Sequence, residues 1–260
     1  KRYSIFFSDV GIRKTVAIDT KQFYKDHKYV VIRNFISKEK ADFLYAYALM
    51  RAKRAATFYQ SNYKGYRPDI DGTYDDKQAP KTYSCYADPA METLLDQATI
   101  PMREITGLQL EPTYSYWRLY KPGDVLKRHK DRPSCEVSTT LMLGHNVNDS
   151  NYRWPMFVDE TGGFGNKGTP IYLNEGDMIV YRGCEVEHWR EKFEGNNHAQ
   201  VFLHFNDVNG PYKDYCKYDA RPHLGLPVEF RSEEKKKLLA KVDTQLNEQH
   251  YVKRNKSRKT

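Results

Sequence analysis

Tyr120-Lys121-Pro122-Gly123-Asp124-Val125-Leu126-Lys127-Arg128-His129-Lys130-Asp131 is the stretch from which the rest of the chain is read. Lys121-Pro122-Gly123-Asp124 is a turn, because proline presets one backbone angle and glycine supplies positive φ. The residues after it form a short extended segment that ends in His-x-Asp. Residues i and i+2 of a strand lie on one face, so the imidazole of His129 and the carboxylate of Asp131 can point at one ion. Two histidines and one carboxylate make a facial triad that leaves adjacent positions open, a set suited to non-haem Fe(II). His188 is the natural third donor. It follows the turn and strand of Gly176-Asp177-Met178-Ile179-Val180-Tyr181. By itself His-x-Asp is a weak sign, since a chain this long meets it by chance, and a lone His188 reads equally as a hydrogen-bonded core histidine. Their combination with matching flanks is much stronger.

Outward from this stretch, residues 110–207 have the texture of β-structure. Segments of five to eight residues are broken by turns such as Gly162-Gly163-Phe164-Gly165 and Asn174-Glu175-Gly176-Asp177, the pattern of a sandwich or barrel. The region before it is helical. A short helix and the strand Tyr29–Ile36 come first. Ser37 then caps an amphipathic helix over residues 38–56, where Ala41, Phe43, Leu44, Tyr47 and Ala48 recur at helical spacing. A second helix is expected over residues 89–106. Residues 57–85 alternate Tyr, Gly, Pro and Asp without a period and read as a long ordered loop, a lid over the barrel mouth. A single domain is therefore expected over residues 1–230, with N-terminal helices in residues 20–106 and a β-barrel core at about 110–207. A basic helix from Ser232 to about Asn247 and a tail would fill residues 231–260.

Composition bounds the function. The chain has 260 residues, 39% of them hydrophobic and 14% aromatic, with 21 tyrosines. That is enough for a packed core and argues against a disordered chain. Mean hydropathy is −0.82, and no apolar run approaches the roughly 18 residues of a membrane span, so no membrane partner is expected. The net charge of +8 admits acidic partners. Much of it is local, however, in Lys253, Arg254, Lys256, Arg258 and Lys259, and reads better as a solvated tail than as a nucleic-acid surface. The four cysteines, at 85, 135, 184 and 216, form no CxxC pair, so a zinc ribbon is excluded and a cytoplasmic location with reduced thiols is the default. The first residue is Lys rather than Met, which is compatible with a trimmed N-terminus.

The run Tyr120-x-Pro-Gly-x-x-Leu-x-x-His129-x-Asp131, the Gly-Asp turn and strand, and then His188 resemble the 2-oxoglutarate/Fe(II)-dependent oxygenases of the prolyl 4-hydroxylase-like group. The resemblance covers roughly residues 20–207 and includes the Tyr-Val-Val-Ile-x-Asn-Phe strand at the front. It implies a mainly β fold with flanking helices, a distorted double-stranded β-helix (a cupin-like jelly-roll barrel). It implies iron held by His129, Asp131 and His188, with 2-oxoglutarate and O2 as co-substrates, and it is compatible with ascorbate as auxiliary reductant. The implied reaction is hydroxylation of a C–H bond in a peptidyl residue or a small, amino-acid-like molecule, with 2-oxoglutarate becoming succinate and CO2. Relatives that halogenate have a small residue in place of the carboxylate, so Asp131 points to hydroxylation. Nucleic-acid demethylases of the superfamily carry paired arginines well after the distal histidine, and Leu203–Gly210 holds none. A non-catalytic metal-binding barrel is the remaining alternative.

The family places a basic residue about ten positions after the distal histidine, to pair with the distal carboxylate of 2-oxoglutarate. Here that slot holds Asn197 or His198. With the strand aligned on its aromatic end, His198, Gln200, Phe202 and His204 share a face at period two. The co-substrate residues expected are then Tyr120, His198, Gln200 and His204. Arg190 and Lys192 are expected on the surface of a turn. Tyr114, Tyr116, Trp117, Trp154 and Trp189 are read as core rings, and Arg132 and Glu136 as pointing into the mouth, Arg132 towards an acidic substrate group. Substrate identity and oligomeric state are not legible in the sequence.

Overall fold

The computed structural model describes residues 4–5, 16–17, 19–161, 166–213, 216–234, 236, 237 and 240. Ser4–Ile5 (β1) pairs with Val16–Ala17 (β2). Thr20–His27 (α1) is capped by the Asp19 carboxylate, which accepts from the amides of Lys21 and Gln22. Tyr29–Ile32 (β3) follows. The expected strand to Ile36 is shorter, because Asn34 turns the chain at φ 50. Ser37 caps Lys38–Gln60 (α2) through the Lys40 amide. This helix runs four residues beyond the expected end, because Phe58 and Tyr59 find ring partners in Tyr63, Tyr66 and Tyr74. Pro68–Asp71 (α3) and Tyr83–Tyr86 (β4) interrupt the segment expected as a loop. Pro89–Thr106 (α4) falls at its expected bounds, between the Asp88 cap and Gly107 at φ 75. Eight strands follow: Leu110–Tyr120 (β5), Leu126–His129 (β6), Val137–Asn146 (β7), Met156–Asp159 (β8), Thr169–Ile171 (β9), Met178–Arg182 (β10), Glu187–Arg190 (β11) and Asn197–Asp207 (β12).

The described strands build two principal antiparallel sheets. One has six strands in the order β3-β10-β7-β12-β5-β4, the other four in the order β6-β11-β8-β9. The six-stranded sheet is buried on both faces. Val30, Ile32, Leu141, Met178, Val180, Ala199, Val201 and Leu203 pack with the helices, among Leu44, Ala48, Leu95 and Met102. Val31, Met142, Ile179 and Tyr181 face the other way and pack with Met156, Val158 and Ile171 of the smaller sheet. Alternation at period two thus divides each strand between two cores. Strands buried on both sides read as apolar runs rather than as alternating ones, as in Tyr29-Val30-Val31-Ile32.

That second face matters for function. Along β12 it presents His198, Gln200, Phe202 and His204, while Ala199, Val201, Leu203 and Phe205 turn to the helices. Along β5 it presents Tyr114, Tyr116 and Arg118, with Phe202 directly opposite Tyr116 in the ladder. No described helix is long and apolar enough to cross a membrane. The basic helix expected from Ser232 lies mostly outside the described residues.

Candidate metal centre and cavity

The local turn chemistry places His129 and His188 opposite each other on neighbouring strands β6 and β11. Asp131 lies just past β6, where its amide donates to the carbonyl of Gly183 at 2.9 Å. The Nε2 atoms of His129 and His188 stand 3.6 and 3.5 Å from Oδ1 of Asp131, and the ring centroids are 4.2 Å apart. All three ligand atoms lie within 4.8 Å of one another, so one cation can be shared among them. Each Nδ1 faces a main-chain carbonyl, that of Lys127 at 2.7 Å for His129 and that of Val186 at 3.1 Å for His188. A carbonyl only accepts, so Nδ1 carries the proton and Nε2 keeps a lone pair aimed at the centre. Burial pushes the His129 imidazole down to about 4, which keeps it neutral and able to ligate near pH 7. Burial pushes the Asp131 carboxyl up. The His188 and His129 rings outweigh this and hold it below the usual carboxylate range.

Ser138 of β7 ties this centre to the larger sheet. Its hydroxyl donates to Oδ2 of Asp131 at 2.7 Å and stands 3.0 Å from Nδ1 of His204. His204 in turn stacks on Tyr114, with centroids 4.5 Å apart. Gly183 is the tight point. A Cβ there would run into the carbonyl oxygen of Cys135 and come within 2.7 Å of both Asp131 Oδ2 and Ser138 Oγ.

The triad opens onto a cavity of about 980 Å³ between the sheets. Of the residues expected to hold the co-substrate, Gln200 and His204 line it and Tyr120 and His198 do not. Tyr120 is packed against Trp154 and accepts from Arg118. His198 is buried beside Trp154 and Phe193, with neither ring nitrogen hydrogen-bonded.

Arg190, expected on a turn surface, is instead 1% exposed and lines the cavity. It sits two positions after His188 on β11, so it shares that residue's face. One terminal nitrogen donates to the carbonyl of Trp154 at 2.5 Å and the other to Oε1 of Gln200 at 2.7 Å. Its Nε and the Nε2 of Gln200 are buried without partners, and no described carboxylate pairs with it. Burial pushes its guanidinium down to about 10. A buried cation with no counter-charge is costly, and an anion entering this end of the cavity would relieve that cost. Lys192 stays exposed, as expected. The sequence held a signal for Arg190: His-x-Arg within one short strand puts both on one face, whatever the family spacing.

Two further expectations need correction. Tyr114 and Tyr116, read as core rings, line the cavity, whereas Trp117 is fully buried in the helix-side core. The lid assigned to residues 57–85 reaches the cavity only through Asp76 and Gln78. Both accept from Arg118, at 2.6 and 2.7 Å. The remaining tyrosines of that segment pack on α2 and β4. Arg132 lines the mouth as expected, and Glu136 instead accepts from Asn206 and the Asp207 amide.

No protein-family model matches the chain, and no curated protein sequence matches it. Solved structures do. A Pseudomonas putida prolyl-4-hydroxylase is similar over 72% of this chain and 97% of its own, at 17% identity and a TM-score of 0.54. An oxidoreductase of the 2OG-Fe(II) oxygenase family from Burkholderia pseudomallei is similar over 75% and 92%, at 14% identity and 0.53. The 2-oxoglutarate-dependent carbocyclase SnoK of nogalamycin biosynthesis is similar over 82% and 93%, at 12% identity and 0.53. At these identities the likeness is one of fold: the chain has the fold of the 2OG-Fe(II) oxygenases, prolyl hydroxylases among them.

Proposed function

We propose that this protein is a 2-oxoglutarate- and Fe(II)-dependent dioxygenase that hydroxylates a C–H bond of a small molecule or peptidyl residue. The two facing sheets are then the halves of a double-stranded β-helix, within one oxygenase domain. The observation that carries the reading is a single one. The cavity that holds two imidazoles and a carboxylate around one point also holds, within the same wall, a buried guanidinium with no acid to pair with among the described residues.

His129, Asp131 and His188 hold the metal, and three ligands leave room for a bidentate 2-oxo acid and O2. The bound metal supplies the oxidative chemistry, in which 2-oxoglutarate is converted to succinate and CO2 as substrate is oxidised. The protein's part is to position and exclude. Arg190 pairs with the distal carboxylate of the 2-oxo acid, since a guanidinium fork matches a carboxylate in two hydrogen bonds. Gln200 braces that guanidinium through Oε1 and keeps Nε2 free to donate. The carbonyls of Lys127 and Val186 fix the two imidazoles, and Ser138 fixes the unligated oxygen of Asp131.

Anaerobic addition of Fe(II) and 2-oxoglutarate is expected to give a weak visible charge-transfer band that His129→Ala abolishes. Turnover of 2-oxoglutarate across pooled metabolites and peptides should then yield a product heavier by one oxygen. Absence of the band from the intact protein would overturn the reading in favour of a non-catalytic barrel.

A further inference from the structure

We infer that the outer half of this cavity is a subsite for a planar aromatic anion, an aryl carboxylate or aryl phosphate, presented to the metal centre. The inference deepens the oxygenase reading and rests on it for the word substrate, though not for the binding itself.

The first observation is the wall. Tyr116, Phe202 and His204 stand side by side on the cavity face of β5 and β12. Their rings are nearly parallel, at 23° and 17°, with successive centroids 6.5 Å apart. Tyr114 continues the row beside His204 and Tyr86 beside Tyr114, at 4.5 and 5.1 Å. All five line the cavity. Rings of this kind are usually spent on the core. Here the sheet's pairing puts them on the face that opens towards His129 and His188. A planar ring can meet such a row edge-to-face or in an offset stack, whatever its hydrogen-bonding pattern.

The second observation is charge. Arg118, Arg128, Lys130, Arg132, Arg231 and Lys236 line the same cavity, and outside the triad Asp76 is the one carboxylate among the lining residues. Asp76 pairs with Arg118 within the wall and Glu233 with Lys236, whereas two further counter-charges stand behind it. Glu187 is fully buried against Arg128, and Asp219 is fully buried between Arg132 and Arg231. One carboxylate shared by two guanidiniums leaves a positive charge over, and the cavity side of that cluster is its cationic side. Arg118 and Arg132 also lie over the rings, with Arg118 5.2 Å from the Tyr116 centroid and 5.5 Å from that of Phe202. Arg132 is 4.6 Å from that of Tyr114. Rings and cations therefore alternate on one surface. A ligand that is both flat and anionic satisfies the two together, whereas an aliphatic or cationic one does not.

The third observation is size. Cavities of roughly 300–1,000 Å³ take drug-sized ligands, so about 980 Å³ leaves room beyond a 2-oxo acid at the Arg190 end.

The test is calorimetric titration of the protein with 2-naphthoate under anaerobic conditions. It is run with Fe(II) and saturating 2-oxoglutarate, and again without metal. 2-Naphthalenemethanol serves as the neutral ring and cyclohexanecarboxylate as the aliphatic anion. Naphthoate is expected to bind about tenfold or more tighter than either control, the scale of one ring contact or one charged contact. Phe202→Leu and Tyr116→Leu are expected to erase its advantage over cyclohexanecarboxylate. Arg231→Gln is expected to weaken both anions alike. Equal binding of naphthoate and cyclohexanecarboxylate would overturn the aromatic assignment, and equal binding of naphthalenemethanol the anionic one. An advantage that survives both leucine variants would move the site elsewhere. The metal-free titration keeps these outcomes separate from the oxygenase reading, whose own failure is loss of the charge-transfer band.

Discussion

Arg190 is the residue on which the co-substrate assignment turns. It lies on the strand of the distal histidine rather than on the next one, and it is held by a carbonyl and by Gln200 without a carboxylate. Arg190→Met removes the fork but keeps much of the buried volume. It is expected to weaken 2-oxoglutarate binding by about thirtyfold or more, the cost of cutting one partner from a desolvated ion pair. Fe(II) affinity should be nearly unchanged, because no triad atom touches it. Arg190→Lys should recover part of the loss, since lysine restores the charge but not the paired geometry. Equilibrium binding of 2-oxoglutarate to the Fe(II) protein measures both. Unaltered binding in Arg190→Met would return the anchor to His198 or another residue of β12.

At the level of elements, the turn between β10 and β11 decides whether the triad closes. Its Gly183 carbonyl accepts from the Asp131 amide, and its own amide donates to Glu136. The space where a side chain would begin is filled by Cys135, Asp131 and Ser138. Gly183→Ala must push this turn away from Asp131. Metal affinity should fall by about tenfold or more, the usual cost of disturbing groups that orient a ligand. The secondary structure should stay, because β10 and β11 are paired on either side of the turn. Metal titration beside circular dichroism would separate the two effects. Wild-type metal affinity in the alanine variant would show that the turn has slack the structure does not reveal.

On the scale of the whole molecule, Asp219 joins the segment after β12 to the cavity. Its carboxylate takes both terminal nitrogens of Arg132, pairs with Arg231 and accepts from the Tyr86 hydroxyl. Tyr218, Asp219 and Ala220 all have positive φ, at 49, 54 and 67, which costs L-residues about 1–2 kcal/mol each, and the ion pairs offset that strain. Burial alone would raise the Asp219 carboxyl, but Arg132 and Arg231 hold it well below its ordinary 3.8. Its folded pKa is depressed, so its stabilising contribution is complete above 3.8. It is lost as pH falls from there through the folded value. Asp219→Asn should therefore cost about 3–5 kcal/mol near pH 7, as breaking a buried pair does. The gap to wild type should hold down to about pH 5 and narrow below pH 3.8. Urea unfolding at a series of pH values reads this directly. A gap that widened on acidification would show that Asp219 is not the proton-linked group.

Local chemistry was enough for much of this molecule. The cap at Ser37, the change from helical to strand texture near residue 110, and the spacing of His129 and Asp131 each act over a few residues. Their consequences could therefore be read from the sequence alone. Three things could not. Arg190 reads as a surface cation until Trp154 and Gln200 of β12 enclose it. Tyr114 and Tyr116 read as core until pairing with β12 assigns their face to the cavity rather than to the helices. The tyrosine-rich segment reads as a lid until α2 extends and draws most of its rings away from the mouth. For the first two the deciding partners lie on other strands, and for the third on a helix that runs further than its local sequence indicates. A side chain's periodicity says which residues share its face; only the packing of two sheets and a helical layer says whether that face meets oil, water or a ligand.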